Sequence, residues 1–252
     1  MSTIESVSPF KNTTIPGWSP DIVPRVLPTI SIFGLGYVGA VNAAFFCHID
    51  HNVIGVDIDT SKVKHINDGT YPIVENGLGE LLMAAHDNGN LSATQSADFA
   101  IANSDISVVS VGTPSKEDGG CDTRYLGAVS EEIGRALAEK DSYHLVMYRS
   151  TVPPTTTREI MIPILEAASG KTCGESFGVC IKPESLREST AIEDFYEPPK
   201  TVIGSTDDRA ADTAKSLYEN VVTGELIVTE LEVAEFVKYV DNTWHDSQSR
   251  FR

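Results

Sequence analysis

Long apolar runs are missing from this chain: none approaches the ~20 residues that span a bilayer, and the N-terminus has no basic flank leading into an apolar stretch. Neither a membrane anchor nor a secretory signal is expected, and the cytoplasm is the expected compartment. Basic residues are scarce as well, with 19 Lys and Arg against 36 Asp and Glu for a net charge of −17. No block of them offers a footprint for phosphate backbones, which argues against nucleic acid. An anionic small molecule has to be held by a few local cations and backbone N–H groups against the overall field. Cysteine is sparse and scattered. Cys47, Cys121, Cys173 and Cys180 show no C-x-x-C spacing, so neither a zinc site nor a disulfide framework is suggested and reduced thiols are expected. Cys47-His48-Ile49-Asp50-His51 gathers metal-capable groups where a helix should turn into a strand, and no metal is expected there. Internal repeats and low-complexity tracts are absent.

What is present has the pattern of a layered α/β protein. Residues 1–28, with Pro9, Pro16, Pro20, Pro24 and Pro28 among polar residues, have no periodicity and read as a flexible leader. From Thr29 onward short apolar runs alternate with amphipathic segments, which predicts a Rossmann-type doubly wound parallel sheet covered by helices. Candidate strands are Ile30–Phe33, Val53–Val56, Ile106–Val111, His144–Tyr148, Phe177–Ile181 and Thr201–Ile203. Leu126, Val129, Ile133 and Leu137 form one helical stripe; Ala214, Leu217, Tyr218 and Val221 form another. A last helix opens on the capping box Thr229-Glu230-Leu231-Glu232, with Val233, Phe236, Val237, Val240 and Trp244 as its apolar stripe. One face of that helix carries Lys238, Asn242 and His245.

The stretch SIFGLGYVGAV contains G-x-G-x-x-G as Gly34, Gly36 and Gly39, directly after a strand and opening a helix. The next strand ends at Asp57, about the twenty-residue distance at which a carboxylate meets the adenosine ribose of a dinucleotide. Gly34 allows the tight turn, Gly36 lets a pyrophosphate approach the backbone, and Gly39 lets helix and strand pack closely. An acid at position 57 favours NAD, because the 2′-phosphate of NADP would face a carboxylate. Thr113 in VGTP and Thr151 in RSTVP follow strand ends, the edge at which such sheets bind ligands. Lys238 and Asn242, one helical turn apart, can both aim N–H donors at a developing oxyanion.

Taken in order, SIFGLGYVGAV, GVDIDTSKVKHIN, PIVENGL, VGTPSK, RSTVPP, RESTAIEDF, PPKTVIG and EVAEFVKYVDNTWH resemble the nucleotide-sugar 6-dehydrogenases over residues 29–246. The RESTAI and PPKTVIG stretches look more like the GDP-mannose branch of that family than the UDP-glucose branch. The resemblance implies two NAD-dependent hydride transfers that take a sugar C6 alcohol to a carboxylate, with the aldehyde-level intermediate held on a cysteine as a thiohemiacetal and then a thioester. It implies that Tyr37, Val38, Asp57, Lys62, Thr113 and Thr151 contact NAD. Glu188 then acts with Thr151 to position or deprotonate the water that hydrolyses the thioester. Lys238 and Asn242 stabilise the oxyanion, and His245 touches the sugar substrate. The family usually reads Asn-Pro-Glu-Phe where this chain has Lys182 and Ser185 in the outer positions.

The Gly-Gly-Ser-Cys-Leu-Pro-Lys-Asp type segment that carries the family's thiol does not occur among these 252 residues. The expected organisation is therefore a leader over 1–28, an NAD-binding domain over 29–228, and over 229–252 the truncated start of a central helix that opens a dimerisation domain in this family. The full-length family is expected to form homodimers or larger assemblies. After His245 the tail departs from the family pattern, and shifting its codons by one base can restore Lys-Val-Ala-Phe, so a shifted reading frame is one reading of the tail beside an unspliced intron and a deliberate truncation. Three readings stay open beside the GDP-mannose one: a UDP-glucose 6-dehydrogenase; a hydroxyacid dehydrogenase, which also pairs Lys and Asn on a helix; and an NAD-binding module without turnover.

Overall fold

Short runs of Ile, Val and Phe with no polar alternation have no side to offer to water, and they form the interior of one sheet. A computed structural model describes residues 27–250, apart from 73–74, 118, 185, 187–193, 196, 199 and 220; in the last helix the side chains at 242 and 245–250 also lie outside the description. The expected leader lies almost wholly outside the described residues.

The strands are β1 (Ile30–Phe33), β2 (Val53–Val56), β3 (Leu91–Thr94), β4 (Ile106–Val109), β5 (His144–Tyr148), β6 (Phe177–Ile181), β7 (Lys200–Ser205) and β8 (Glu225–Glu230). They pair in the order β3-β2-β1-β4-β5-β6-β7-β8. All neighbours are parallel except β6 and β7. The order reverses between β1 and β4, which opens a crevice at the C-terminal ends of those strands.

Helices cover both faces. On one side lie α1 (Tyr37–His48), α2 (Thr60–Asn67), α3 (Leu78–Asp87) and α7 (Asp208–Ser216), packed around Phe45, Phe46, Phe195 and Tyr218. On the other lie α4 (Ala97–Ala102), α5 (Arg124–Ala138), a π turn (Thr157–Met161), α6 (Ile162–Ser169) and the first turns of α8 (Leu231–Arg250). The α5 stripe Leu126, Val129, Ile133 and Leu137 is buried as its spacing predicts.

Four expectations need correction. β4 stops at Val109, two residues short of the expected Val111, because the chain turns there into the Thr113 loop. β7 extends beyond Thr201–Ile203 on both sides, since pairing to β8 continues to Ser205. Strands β3 and β8 were not anticipated: they are edge strands with mixed or exposed faces, so they carry no apolar run. Thr229 and Glu230 belong to β8, and the last helix begins at Leu231. The apolar stripe on that helix is largely uncovered in this chain. Leu231, Ala234 and Glu235 face the protein, whereas Val233, Phe236, Val240 and Trp244 are 46–62% exposed.

Candidate active site

The dinucleotide loop is built from the three motif glycines. Gly34 has φ +92°, the left-handed region that favours glycine. A Cβ at Gly39 would lie 1.9 Å from the Gly34 carbonyl oxygen, so α1 can sit this close to β1 only with glycine there. At Gly36 a Cβ would meet nothing within 4 Å, which leaves the backbone open to a ligand. No side chain caps α1 and no acid lies in its first turn, so its leading N–H groups are left for an anion. This open backbone over an uncapped helix start fits the pyrophosphate of a dinucleotide.

Asp57 follows β2 and is 8% exposed. Its Oδ2 accepts from Leu35 N at 2.7 Å and from Lys62 Nζ at 3.1 Å, and its Oδ1 accepts from Asp59 N at 2.9 Å. The carboxylate thereby ties the second strand to the glycine turn. The Leu35 carbonyl on that turn accepts from the Tyr71 hydroxyl, and the Tyr37 hydroxyl donates to Glu75 at 2.7 Å. Burial beside Asp57 pushes the Tyr71 phenol up to about 12, so it remains a donor at neutral pH. Tyr71 and Glu75 carried no role in the sequence reading. Glu75 lies in the quoted PIVENGL motif, but its partner is 38 residues away and meets it only through folding.

The second half of the edge lies at the ends of β4 and β5. Thr113 Oγ1 donates to the Thr151 carbonyl at 2.9 Å, and Ser150 Oγ donates to the Val111 carbonyl at 2.5 Å, so the two expected threonine motifs are joined into one wall. Cys121 Sγ stands 3.8 Å from the same Thr151 carbonyl. Burial pushes Cys47 up to about 12 and Cys173 up to about 11, and burial raises Cys180 further.

On α8, Lys238 Nζ pairs with Glu184 at 3.4 Å, with both side chains mostly shielded. Lys200 on β7 pairs with Asp241 at 3.2 Å and Arg158 of the π turn pairs with Glu232, so three ion pairs join this helix to its neighbours. Glu188 lies outside the described residues, as do the side chains of Asn242 and His245; the backbone at 242 and 245 is helical. Lys182, the departure from the family motif, is buried with its ammonium 4.7 Å from the Tyr218 ring centroid and 5.8 Å from that of Phe195. Desolvation and the neighbouring Arg149 lower its pKa well below the lysine range. Glu235 also escaped the sequence reading. It is buried, and burial raises its pKa although it accepts three hydrogen bonds. Its partners lie 78–80 residues away in the chain and meet it only through folding.

Fold and site together define a dinucleotide-binding domain. The model of the UDP-glucose/GDP-mannose dehydrogenase family, NAD binding domain, matches residues 28–222. The chain belongs to this family, and its cofactor is NAD. It is 47% identical over 222 residues to a GDP-mannose 6-dehydrogenase of Pseudomonas syringae pv. tomato, covering 88% of this chain and 50% of that one. It is 38% identical over 219 residues to the UDP-glucose 6-dehydrogenase AglM of Haloferax volcanii, covering 85% and 50%. Among solved structures, a ternary complex of GDP-mannose dehydrogenase from Pseudomonas aeruginosa matches with a TM-score of 0.86 at 46% identity, over 88% of this chain and 51% of that chain. The chain spans about half the length of the curated relatives it matches. Among the described residues no helix is long and apolar enough to cross a membrane.

Proposed function

We propose that this chain is the nucleotide-binding half of a nucleotide-sugar 6-dehydrogenase that takes GDP-mannose to GDP-mannuronate, with residues 29–228 as the NAD-binding unit and α8, from Leu231, as the start of a central helix. The observation that carries the reading is the shared edge of the sheet. Asp57 stands at the end of β2, the Thr113–Thr151 wall stands at the ends of β4 and β5, and the open Gly36 backbone lies between them. The 47% identity to a GDP-mannose 6-dehydrogenase supports the choice of sugar nucleotide.

In this reading Gly34, Gly36, Tyr37, Val38 and Gly39 hold the pyrophosphate, and Asp57 takes the adenosine ribose. A carboxylate has about four acceptor positions. Three are filled here, so Lys62 gives up its place on Oδ2 when a ribose diol enters, and it then lies free to meet the nucleotide. Thr113 and Thr151 line the nicotinamide half. Bound NAD supplies the hydride acceptor. Solvent water takes the proton of the sugar C6 hydroxyl, the Lys238 ammonium with the Asn242 amide stabilises the resulting alkoxide, and its collapse to the aldehyde releases the hydride from C6. His245 contacts the sugar. After the second oxidation Glu188, with Thr151, positions or deprotonates the water that hydrolyses the thioester, which releases the carboxylate and the thiol.

That second oxidation needs a thiol to hold the aldehyde. Purified as these 252 residues, the protein is expected to release at most one NADH per GDP-mannose and to form no mannuronate, with UDP-glucose and 3-hydroxy acids used less well than GDP-mannose. Product analysis and NADH stoichiometry check this. Two NADH per sugar would contradict it and point to Cys121, the thiol nearest the Thr151 wall. Preference for a hydroxy acid would overturn the sugar assignment. A binding module without turnover is the second reading, favoured by the burial that raises Cys47, Cys173 and Cys180; NAD binding with no NADH from any substrate would establish it.

A further inference from the structure

Glu235 turns inward from α8 and is 1% exposed. Its Oε2 accepts from Thr155 N at 2.7 Å, and its Oε1 accepts from Thr157 N at 2.8 Å and Thr157 Oγ1 at 2.6 Å. The π turn that starts at Thr157 has no side-chain cap from its own preceding residue. The N–H of Thr157, its first residue, and that of Thr155, just before it, are instead satisfied by a carboxylate 78–80 residues further along the chain. Beside it, Arg158 pairs with Glu232 one turn earlier on the same helix.

The turn held in this way is strained. Thr155 has φ +75°, a left-handed conformation that a β-branched residue keeps only where its surroundings impose it. Between Thr155 and Thr151 stand buried Val152 and the pair Pro153–Pro154, whose ring-fixed φ angles make the segment stiff. Displacement at Thr155 therefore reaches Thr151, whose carbonyl is held by Thr113. One turn along α8 from Glu235 is Lys238.

We infer that Glu235 is a positioning residue: it sets the Thr151 wall for the nicotinamide half of NAD and, through the same helix, the register of the Lys238 ammonium against it. The inference rests on the reading of this edge as the dehydrogenase site. In a doubly wound sheet the adenosine half lies by β1 and β2, and the other mononucleotide half lies beyond the switch point by β4 and β5. The two halves are thus separately testable.

The test uses the full 252-residue chain, titrated calorimetrically with NAD and with ADP, which carries only the adenosine half. Glu235→Ala is expected to weaken NAD by about tenfold, the order of one net hydrogen bond, and to leave ADP within about twofold. Adding Thr155→Gly to that variant should restore most of the NAD affinity, because glycine adopts a positive φ without the carboxylate. Should Glu235→Ala fail to fold, Glu235→Gln keeps the volume and one acceptor oxygen, and a smaller loss confined to NAD is expected. Parallel losses for NAD and ADP, or unchanged NAD affinity in both Glu235 variants, would overturn the inference while leaving the site intact. If the parent chain binds neither ligand, the site reading itself fails and the inference fails with it.

Discussion

Gly39→Ala is expected to lose about 3 kcal/mol or more of stability and to abolish measurable NAD binding. The added methyl carbon would sit 1.9 Å from the Gly34 carbonyl oxygen, and both partners are backbone, so no side-chain rotation relieves the overlap. Helix α1 has to move off β1. It carries Phe45 and Phe46, which are 1% and 0% exposed in the core on that face. Gly36→Ala provides the contrast. Its φ of −78° suits any residue and its Cβ would touch nothing within 4 Å, so the free protein should melt close to the parent. The methyl would nevertheless occupy the space through which pyrophosphate reaches the helix N-terminus, so NAD should weaken by about tenfold or more. Thermal denaturation and NAD calorimetry on the two variants separate packing from binding. A Gly39→Ala protein as stable as the parent, or a Gly36→Ala protein with parental NAD affinity, would contradict the account.

The second large effect lies at the opposite edge of the sheet. His144 opens β5, is 0% exposed, and its Nε2 sits 2.7 Å from Ser107 Oγ in a buried chain that continues to Ser31 and Ser104. Burial, reinforced by nearby Lys140, lowers its pKa from 6.5 to about 3. A base whose folded-state pKa lies below its unfolded value gains its proton on unfolding. Stability is therefore fully present above pH 6.5 and drains away as pH falls from 6.5 toward 3. Between pH 7 and pH 4 this group alone should remove about 3 kcal/mol. Urea unfolding across that range checks it, with His144→Asn as the reference. The parent should lose about 3 kcal/mol more than the variant on acidification. Equal acid sensitivity of the two would place the titration elsewhere.

Buried runs were the legible part of the fold. β1, β2, β5 and β6 are buried at every position, so apolar composition alone marks them. β8 alternates exposed and half-buried residues at the sheet margin, and β3 is buried only at Leu91, so neither stands out from loop sequence. The periodicity of α8 was legible, but the residues that carry its contact with the sheet were not. Period tells which residues share a face and not which neighbour covers it, and the small residue Ala234 beside buried Glu235 carries the contact with the sheet.

The candidate site divides in the same way. Gly34, Gly36, Gly39 and Asp57 are visible because their chemistry depends on local turn geometry and fixed spacing along the chain. Tyr71, Glu75 and Glu235 act on partners 36, 38 and about 80 residues distant, and no local pattern announces such meetings. Lys182 reads as a charged loop residue in sequence, yet it lies over the Tyr218 ring with its ammonium desolvated.

The central claim is that Asp57 selects NAD at the end of β2, and paired calorimetric titrations of the chain with NAD and NADP test it most directly. NAD should bind at least about tenfold more tightly, because the ribose hydroxyls can donate to the carboxylate whereas a 2′-phosphate is repelled by it. Asp57→Ala should cost NAD about 1–3 kcal/mol and narrow the gap between the cofactors. Equal affinity of the parent chain for the two dinucleotides would contradict the account.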